Sequence, residues 1–351
     1  MNRRPVFQID DGYDLHSAPM KILLFEYITG GGLAGLELPP GLVREGRAMA
    51  VSLACDLLSI AGVSLVVPWD GRLPLPEYAD HPRVQLMPVE SALSFRNLWR
   101  AALERCDAVW PIAPETGGVL SHVCRDVAQS GVRLLNCPPG GVSLATSKRQ
   151  TVDRLTAHGV PAVPTYRVRE VPAGLPWPRV VKPDDGVGCQ DTYVVESPAQ
   201  LENYSAEAAS NDWLIQPYVH GAPLSLCALF WRGDAALLTV NRQSMALSDE
   251  GAFRLTGCEV NAITDDVGQY SMLTRQIAAA VPELEGYAGV DFIQTASGPV
   301  VLEINPRLTS SYSALGRALP CNPAALILNL YETGRLPSVD AKAGRRVLVD
   351  W

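Results

Sequence analysis

The densest chemistry in the chain lies near its C-terminus. Asp291 follows Gly289-Val290 and precedes the apolar pair Phe292-Ile293, and Glu303-Ile304-Asn305-Pro306-Arg307 comes next. Glu303 and Asn305 are two positions apart, so on a strand they share one face. Gly298-Pro299 reads as a hairpin turn that brings Asp291 back toward them. Three hard oxygen donors on one surface suit Mg²⁺, an ion that shares its shell with substrate phosphates rather than sitting in a full protein cage. The bland alternative is a solvated hairpin face with incidental acids.

Two lysines upstream carry the complementary charge. Val180-Val181-Lys182-Pro183 leads into Asp184-Asp185-Gly186-Val187-Gly188-Cys189. A lysine at a strand end followed by a glycine-bearing turn fits phosphate binding by backbone N–H groups and a point charge. The glycines also allow such a loop to act as a lid. No Gly-Lys-Ser/Thr follows, so this is not a Walker loop. Lys148, at the start of a helical pattern, opposes the helix dipole and therefore asks for an anionic partner. Further on, the strand ending in Gln216-Pro217-Tyr218-Val219 breaks at His220-Gly221 and restarts. Its backbone groups could read an adenine edge, with Tyr218 and Val219 along the ring's flank. Taken singly, each of these is as well read as an ordinary loop or a solvated lysine.

Other chemistries are not signalled. Gly30-Gly31-Gly32-Leu33-Ala34-Gly35 matches G-x-G-x-x-G after a strand. A dinucleotide fold, however, opens its glycines directly into a helix and ends the second strand in an acid. Here Pro39-Pro40 intervene and no such acid is expected. The histidines His16, His81, His122, His158 and His220 lack metal spacing, and there is no Gly-x-Ser-x-Gly elbow. No two of the 8 cysteines lie within four positions of each other, which reads as reduced thiols of a cytoplasmic protein. The net charge of −8, from 37 acidic and 29 basic residues, argues against a nucleic-acid partner. No apolar run approaches the ~20 residues of a membrane span, so no membrane partner is expected either.

These residues need elements to hold them. Residues 1–19 lack an apolar core of the signal-peptide kind and read as a loose extension or an overcalled start. From 20 to 145, strand-like runs (22–25, 65–67, 84–87, 108–112, 134–135) alternate with helical patterns (42–60, 93–106, 119–130). That alternation implies a parallel sheet covered on both faces, an α/β domain whose ligands gather beyond the strands' carboxyl ends. Thr146–Gly159 reads as one helix. It opens a smaller α+β unit (146–216) that includes a helix over Pro198–Ala209. Strands dominate the last unit (217–351), at 224–231, 235–240, 289–294 and 300–304, with helices near 272–281, 314–319 and 324–333.

In this order and spacing, Lys148, Lys182 with its glycine loop, the 216–219 break and Asp291…Glu303-x-Asn305 resemble the ATP-grasp superfamily over roughly residues 20–335. The resemblance implies ATP clamped between two α+β subdomains behind an N-terminal parallel-sheet domain. It implies that Lys148 and Lys182 hold phosphates and that Gly186 and Gly188 belong to the covering loop. Gln216, Pro217, Tyr218 and Val219 would cradle adenine, and Asp291, Glu303 and Asn305 would bind Mg²⁺. The chain departs from the family in places. Gln216 stands where glutamate is frequent, Pro223 where many members carry a ribose-binding glutamate, and Gly289 where D-alanine–D-alanine ligases carry arginine. Arg307 follows the carboxylase-like branch.

Ile112-Ala113-Pro114-Glu115-Thr116, Asn241-Arg242-Gln243 and the Gly30–Gly32 loop are similar to the tyramine–L-glutamate ligases of methanofuran and methylofuran biosynthesis. That likeness implies a small-molecule acid and amine joined through an acyl phosphate. Arg242 and Arg307 would steer carboxylate or phosphate oxygens, and Glu115 would meet the acceptor amine or, equally, only cap the helix starting near Val119. Alternatives are a dipeptide-forming ligase, an ATP-dependent carboxylase, or a nucleotide-binding module without catalysis. A biotin carboxylase is disfavoured by the short stretch after Asn305. A homodimer is the expected assembly.

Overall fold

The computed structural model describes residues 19–202, 204 and 213–350. All but the last residue of the 1–19 extension, and most of the helix expected over Pro198–Ala209, lie outside the described residues.

Ile22-Leu23-Leu24-Phe25 is apolar at every position, as a strand buried on both faces of a parallel sheet must be. All four side chains are buried in β1 (Met20–Glu26). With β2 (Val63–Asp70), β3 (Val84–Val89), β4 (Ala108–Ile112) and β5 (Arg133–Leu134) it forms a parallel sheet in the order β3-β2-β1-β4-β5. The order reverses between β1 and β4, and a crevice at such a switch point is where ligands enter this kind of sheet. The loops that flank it are the Thr29–Gly32 loop after β1 and the Ala113–Gly118 loop after β4. Helices α1 (Pro40–Leu58), α2 (Ala92–Leu103) and α3 (Val119–Ser130) cover the sheet.

The linker after β5 departs from expectation. Thr146 does not open the next helix; it closes α4 (Pro139–Thr146). Ser147 then breaks the helix with an extended backbone, and its side chain caps α5 (Lys148–Ala157) by accepting from the Gln150 N–H. Serine favours this role because its hydroxyl satisfies an otherwise orphaned N–H of the first turn. Lys148 thus becomes the first residue of its own helix.

Two antiparallel sheets follow. β6 (Tyr166–Arg167), β7 (Arg179–Pro183), β8 (Tyr193–Val195) and β9 (Trp213–Pro217) pair in the order β6-β9-β7-β8, over a small core of Val181, Val195, Trp213 and Ile215. The larger sheet contains β10 (Ala222–Trp231), β11 (Asp234–Leu247), β12 (Phe253–Ile263), β13 (Gly286–Thr295), β14 (Gly298–Asn305) and β15 (Val347–Asp350), ordered β14-β13-β10-β11-β12-β15. β11 runs well past the expected Val240, and β12 was not expected. Thr256, Gly257, Glu259 and Asn261 interrupt its apolar pattern, so neither period stands out.

The parallel sheet and the large antiparallel sheet share one core. Ile22, Leu53 and Leu57 pack into the same cluster as Leu229, Tyr287, Leu315 and Ile327. Polar contacts fix this docking. Tyr312 Oη donates to Asp56 Oδ2 at 3.1 Å, and Asn322 Nδ2 donates to the Asp56 carbonyl at 2.8 Å. Asn136 Nδ2 of the first domain also donates to the Pro306 carbonyl at 3.0 Å, just past the end of β14.

Candidate active site

Pairing of β13 with β14 sets the acid cluster. Asp291 lies directly opposite Glu303, and Gly289 opposite Asn305. The hairpin therefore brings together the three residues expected from their spacing. Asn305 Nδ2 donates to Asp291 Oδ2 at 3.0 Å. Burial, then the neighbouring Glu303 charge, pushes the Asp291 carboxyl up to about 7.

Both lysines reach the same acid. Lys148 Nζ is 3.4 Å and Lys182 Nζ 3.7 Å from Glu303 Oε2. Burial raises the Glu303 carboxyl, but the two ammonium groups outweigh it and hold it below its ordinary range. Lys182 is pushed down, chiefly by burial, with Glu303 opposing. Lys148 Nζ also donates to the carbonyls of Asp184 (3.2 Å) and Gly186 (2.5 Å). It therefore holds the glycine-bearing loop, in which Gly188 takes a left-handed backbone. The site is built from two cations, two acids and an amide, carried by α5, β7, β13 and β14.

This donor set fits Mg²⁺. The oxygens are hard, and two half-buried carboxyls facing each other carry a repulsion that a divalent cation relieves. Among the described residues no group of three or more His, Cys, Asp or Glu converges to hold a metal. A cation here would complete its shell with phosphate oxygens, as magnesium commonly does.

At the other end of the small sheet, Gln216 is buried and donates from Nε2 to Thr165 Oγ1 at 2.7 Å. Tyr218 stacks on Phe253 with ring centroids 6.5 Å apart, and its N–H is spent on the Pro178 carbonyl. Pro217, Tyr218 and Val219 are half-buried, as a ring-binding edge would be.

The first domain contributes Glu115. Its Oε2 accepts from Arg307 Nε at 2.9 Å, while its Oε1 is buried with no hydrogen-bond partner. Burial works against the Arg307 charge, but Glu115 more than offsets it and the guanidinium is held above its ordinary range. Nearby, Ser310 donates to Glu45, a residue of α1 that sequence reasoning missed. Gln243 was also missed as a site residue, and its Nε2 donates to Asp291 Oδ1 at 2.9 Å. The signal was available: Gln243 is two positions from the buried Asn241, so both share the face that looks toward Asp291. The same alternation turns the exposed Arg242 to the opposite face, and the structure does not bring it to the cluster.

The glycine run after β1 has a different use. Asp70 does end β2, contrary to the expectation that no acid stands there, but it is paired with Arg72 Nη2 at 2.7 Å. The first helix begins only at Pro40, so the glycine amides do not open it. The loop instead folds around Glu26, whose carboxylate accepts from the N–H groups of Ile28 (3.1 Å) and Thr29 (2.7 Å). Burial pushes that carboxyl up, against the Thr29 hydrogen bonds. A cavity of about 550 Å³ opens elsewhere, at the carboxyl ends of β2 and β3, lined by Trp69, Leu75, Leu86 and Val89.

Residues 145–311 match the ATP-grasp domain and residues 63–142 the pre ATP-grasp 3 domain. The chain belongs to the ATP-grasp superfamily and is an ATP-dependent ligase. It is similar to the tyramine–L-glutamate ligase of Methanocaldococcus fervens, at 25% identity over 84% of this chain and 89% of that protein. The tyramine–L-glutamate ligase of Methanocaldococcus jannaschii is 24% identical over 84% of each chain. An ATP-grasp superfamily protein from Archaeoglobus fulgidus superimposes with a TM-score of 0.67 and 22% identity, covering 94% of this chain and 92% of that one.

Proposed function

We propose that this ligase uses ATP and Mg²⁺ to join the γ-carboxylate of glutamate to the primary amine of tyramine. The observation that carries the reading is the convergence of Lys148 and Lys182 on Glu303, beside Asp291 and Asn305. Two buried ammonium groups around one acid are poised to exchange part of that counter-charge for phosphate oxygens. Gly186 and Gly188 lie in the covering loop, and Gln216 to Val219 form the adenine edge. Asp291, Glu303 and Asn305 hold Mg²⁺, which when bound neutralises charge on the transferring phosphoryl group.

In the first step a carboxylate oxygen of the acid attacks the γ-phosphorus and ADP leaves, giving an acyl phosphate. In the second, the amine nitrogen attacks the acyl carbon, the amide bond forms and phosphate leaves. Arg307, aligned by Glu115, faces the developing oxyanion. Glu115 Oε1, the oxygen that Arg307 leaves over, takes the ammonium of the acceptor, which must lose a proton before attack. Arg242 has no part in this reading, because β11 turns it away. The substrate pair is supported by the two similar tyramine–L-glutamate ligases.

The test is mass spectrometry of reactions containing ATP, Mg²⁺, glutamate and tyramine. Glutamyl-tyramine with stoichiometric ADP and phosphate is expected. Amide from a different acid–amine pair alone would keep the ligase chemistry and discard these substrates. Bicarbonate-stimulated ADP release without any amide would replace it with a carboxylase.

A further inference from the structure

Asp184 and Asp185 are adjacent acids with opposite allegiances. Asp184 faces α5: its Oδ2 accepts from Ser147 Oγ at 2.7 Å and its Oδ1 from the Arg149 N–H at 3.0 Å. Asp185 faces the first domain. Its Oδ2 accepts from the Gly117 N–H at 2.8 Å, and its carbonyl accepts from Thr116 Oγ1 at 3.0 Å. The stretch Glu115-Thr116-Gly117 is therefore held on one side by Arg307 and on the other by the glycine-bearing loop. Gly117 has a φ of 65°, and a Cβ placed there would meet nothing within 4 Å. The glycine is needed for its left-handed backbone, which turns the N–H outward to the carboxylate, and not for space.

We propose that Asp185 is a positioning residue that latches the loop over the nucleotide phosphates to the loop that carries Glu115. The phosphate loop then closes fully only when the acceptor-side loop is in place, and the two half-reactions share one enclosure. The first domain thereby sets how tightly the loop grips nucleotide, and it limits the access of water to the acyl phosphate. This rests on the nucleotide reading of the Lys148–Lys182 site. A bond from a peptide N–H to a carboxylate is charge-assisted and stronger than a neutral one. Losing it at a part-exposed position corresponds to roughly a tenfold change in the closed population.

The experiment compares Asp185→Ala, Asp185→Asn and Thr116→Val with the wild-type chain. Amide hydrogen exchange at 115–118 and 184–190 is measured without nucleotide, and the affinity for AMP-PNP with Mg²⁺ is measured separately. With Asp185→Ala, exchange of the Gly117 amide and affinity for AMP-PNP should each change about tenfold in the loosening direction. The fraction of ATP hydrolysed without amide product should rise as well. Thr116→Val should move the same readouts less, from the other side of the contact. Asp185→Asn keeps an acceptor oxygen but loses the charge, and should fall between Asp185→Ala and the wild type. Wild-type exchange in Asp185→Ala would overturn the latch. Faster exchange with unchanged AMP-PNP affinity would overturn its coupling to nucleotide. If the wild-type chain itself binds no AMP-PNP, the nucleotide reading and this coupling both fall. Exchange that still responds to Asp185→Ala would identify that failure as one of the nucleotide reading.

Discussion

Replacing Glu303 by glutamine tests the electrostatic design of the site. Glu303 Oε2 lies 3.4 Å from one ammonium nitrogen and 3.7 Å from another, and its side chain is 18% exposed. At an effective dielectric of about 20, a unit-charge pair at these distances interacts by about 4–5 kcal/mol. Part of that is offset by the cost of removing the charges from water. Breaking a buried pair by deleting one partner costs about 3–5 kcal/mol, because the surviving charge stays buried. Glu303→Gln leaves two ammonium groups facing each other across a neutral amide but also relieves the repulsion with Asp291, so the free protein should be destabilised by at most about that amount. For a chain of this length it amounts to a fall in melting temperature of about 4–7 °C. ATP would supply the missing negative charge. The upward shift in melting temperature on adding ATP without metal should therefore be larger in Glu303→Gln than in the wild type, while ligation falls by orders of magnitude. Differential scanning fluorimetry with and without ATP, alongside the ligation assay, gives both numbers. A free Glu303→Gln protein as stable as the wild type would refute the charge argument. An ATP-induced shift no larger than the wild type's would refute the exchange of counter-charge.

Three further outcomes are expected. Lys148→Ala and Lys182→Ala should each weaken ATP binding measured by calorimetry, and the double variant should abolish turnover while remaining folded by circular dichroism. Arg307→Ala strips Glu115 of its partner at a buried position and should lower stability by about 3–5 kcal/mol in denaturant titration. Arg307→Ala combined with Glu115→Gln should recover part of that loss; no recovery would mean the pair is not the source. Gln243→Leu removes the donor to Asp291 Oδ1 and should weaken Mg²⁺ dependence by about tenfold in the titrated midpoint. A midpoint equal to that of the wild type would show that Gln243 does not orient Asp291.

Much of this site was legible because its chemistry is written locally. Glu303 and Asn305 share a face through the two-residue period of a strand, and Gly298-Pro299 announces the turn that returns Asp291 to them. Lys182 at a strand end and the glycines behind it are likewise a local pattern. The helix boundary at Ser147 was missed although its signal was local. Ser147 followed by Gln150 resembles a cap, but the apolar pattern on either side runs through it. Arg242 and Gln243 show a different limit. Neighbours in sequence point to opposite faces of β11, and which face meets Asp291 depends on the pairing of β11 with β10 and of β10 with β13.

The sequence by itself determined the parallel sheet, the acid hairpin, the lysine pair and the superfamily. These follow from hydrophobic period, turn chemistry and motif order, all of which act over a few residues. Only the tertiary structure decided that both lysines meet on Glu303. It also decided that Gln243 rather than Arg242 faces Asp291, that Glu115 is committed to Arg307 through one oxygen, and that Asp185 reaches across to Gly117. Those pairs are separated by up to 192 positions. Their geometry is set by how α1 docks on the large sheet and how the small sheet lies against the first domain, and hydrophobic burial that fixes such docking is non-directional. A one-dimensional pattern says which faces are apolar, and the packing then determines which charges are left facing one another.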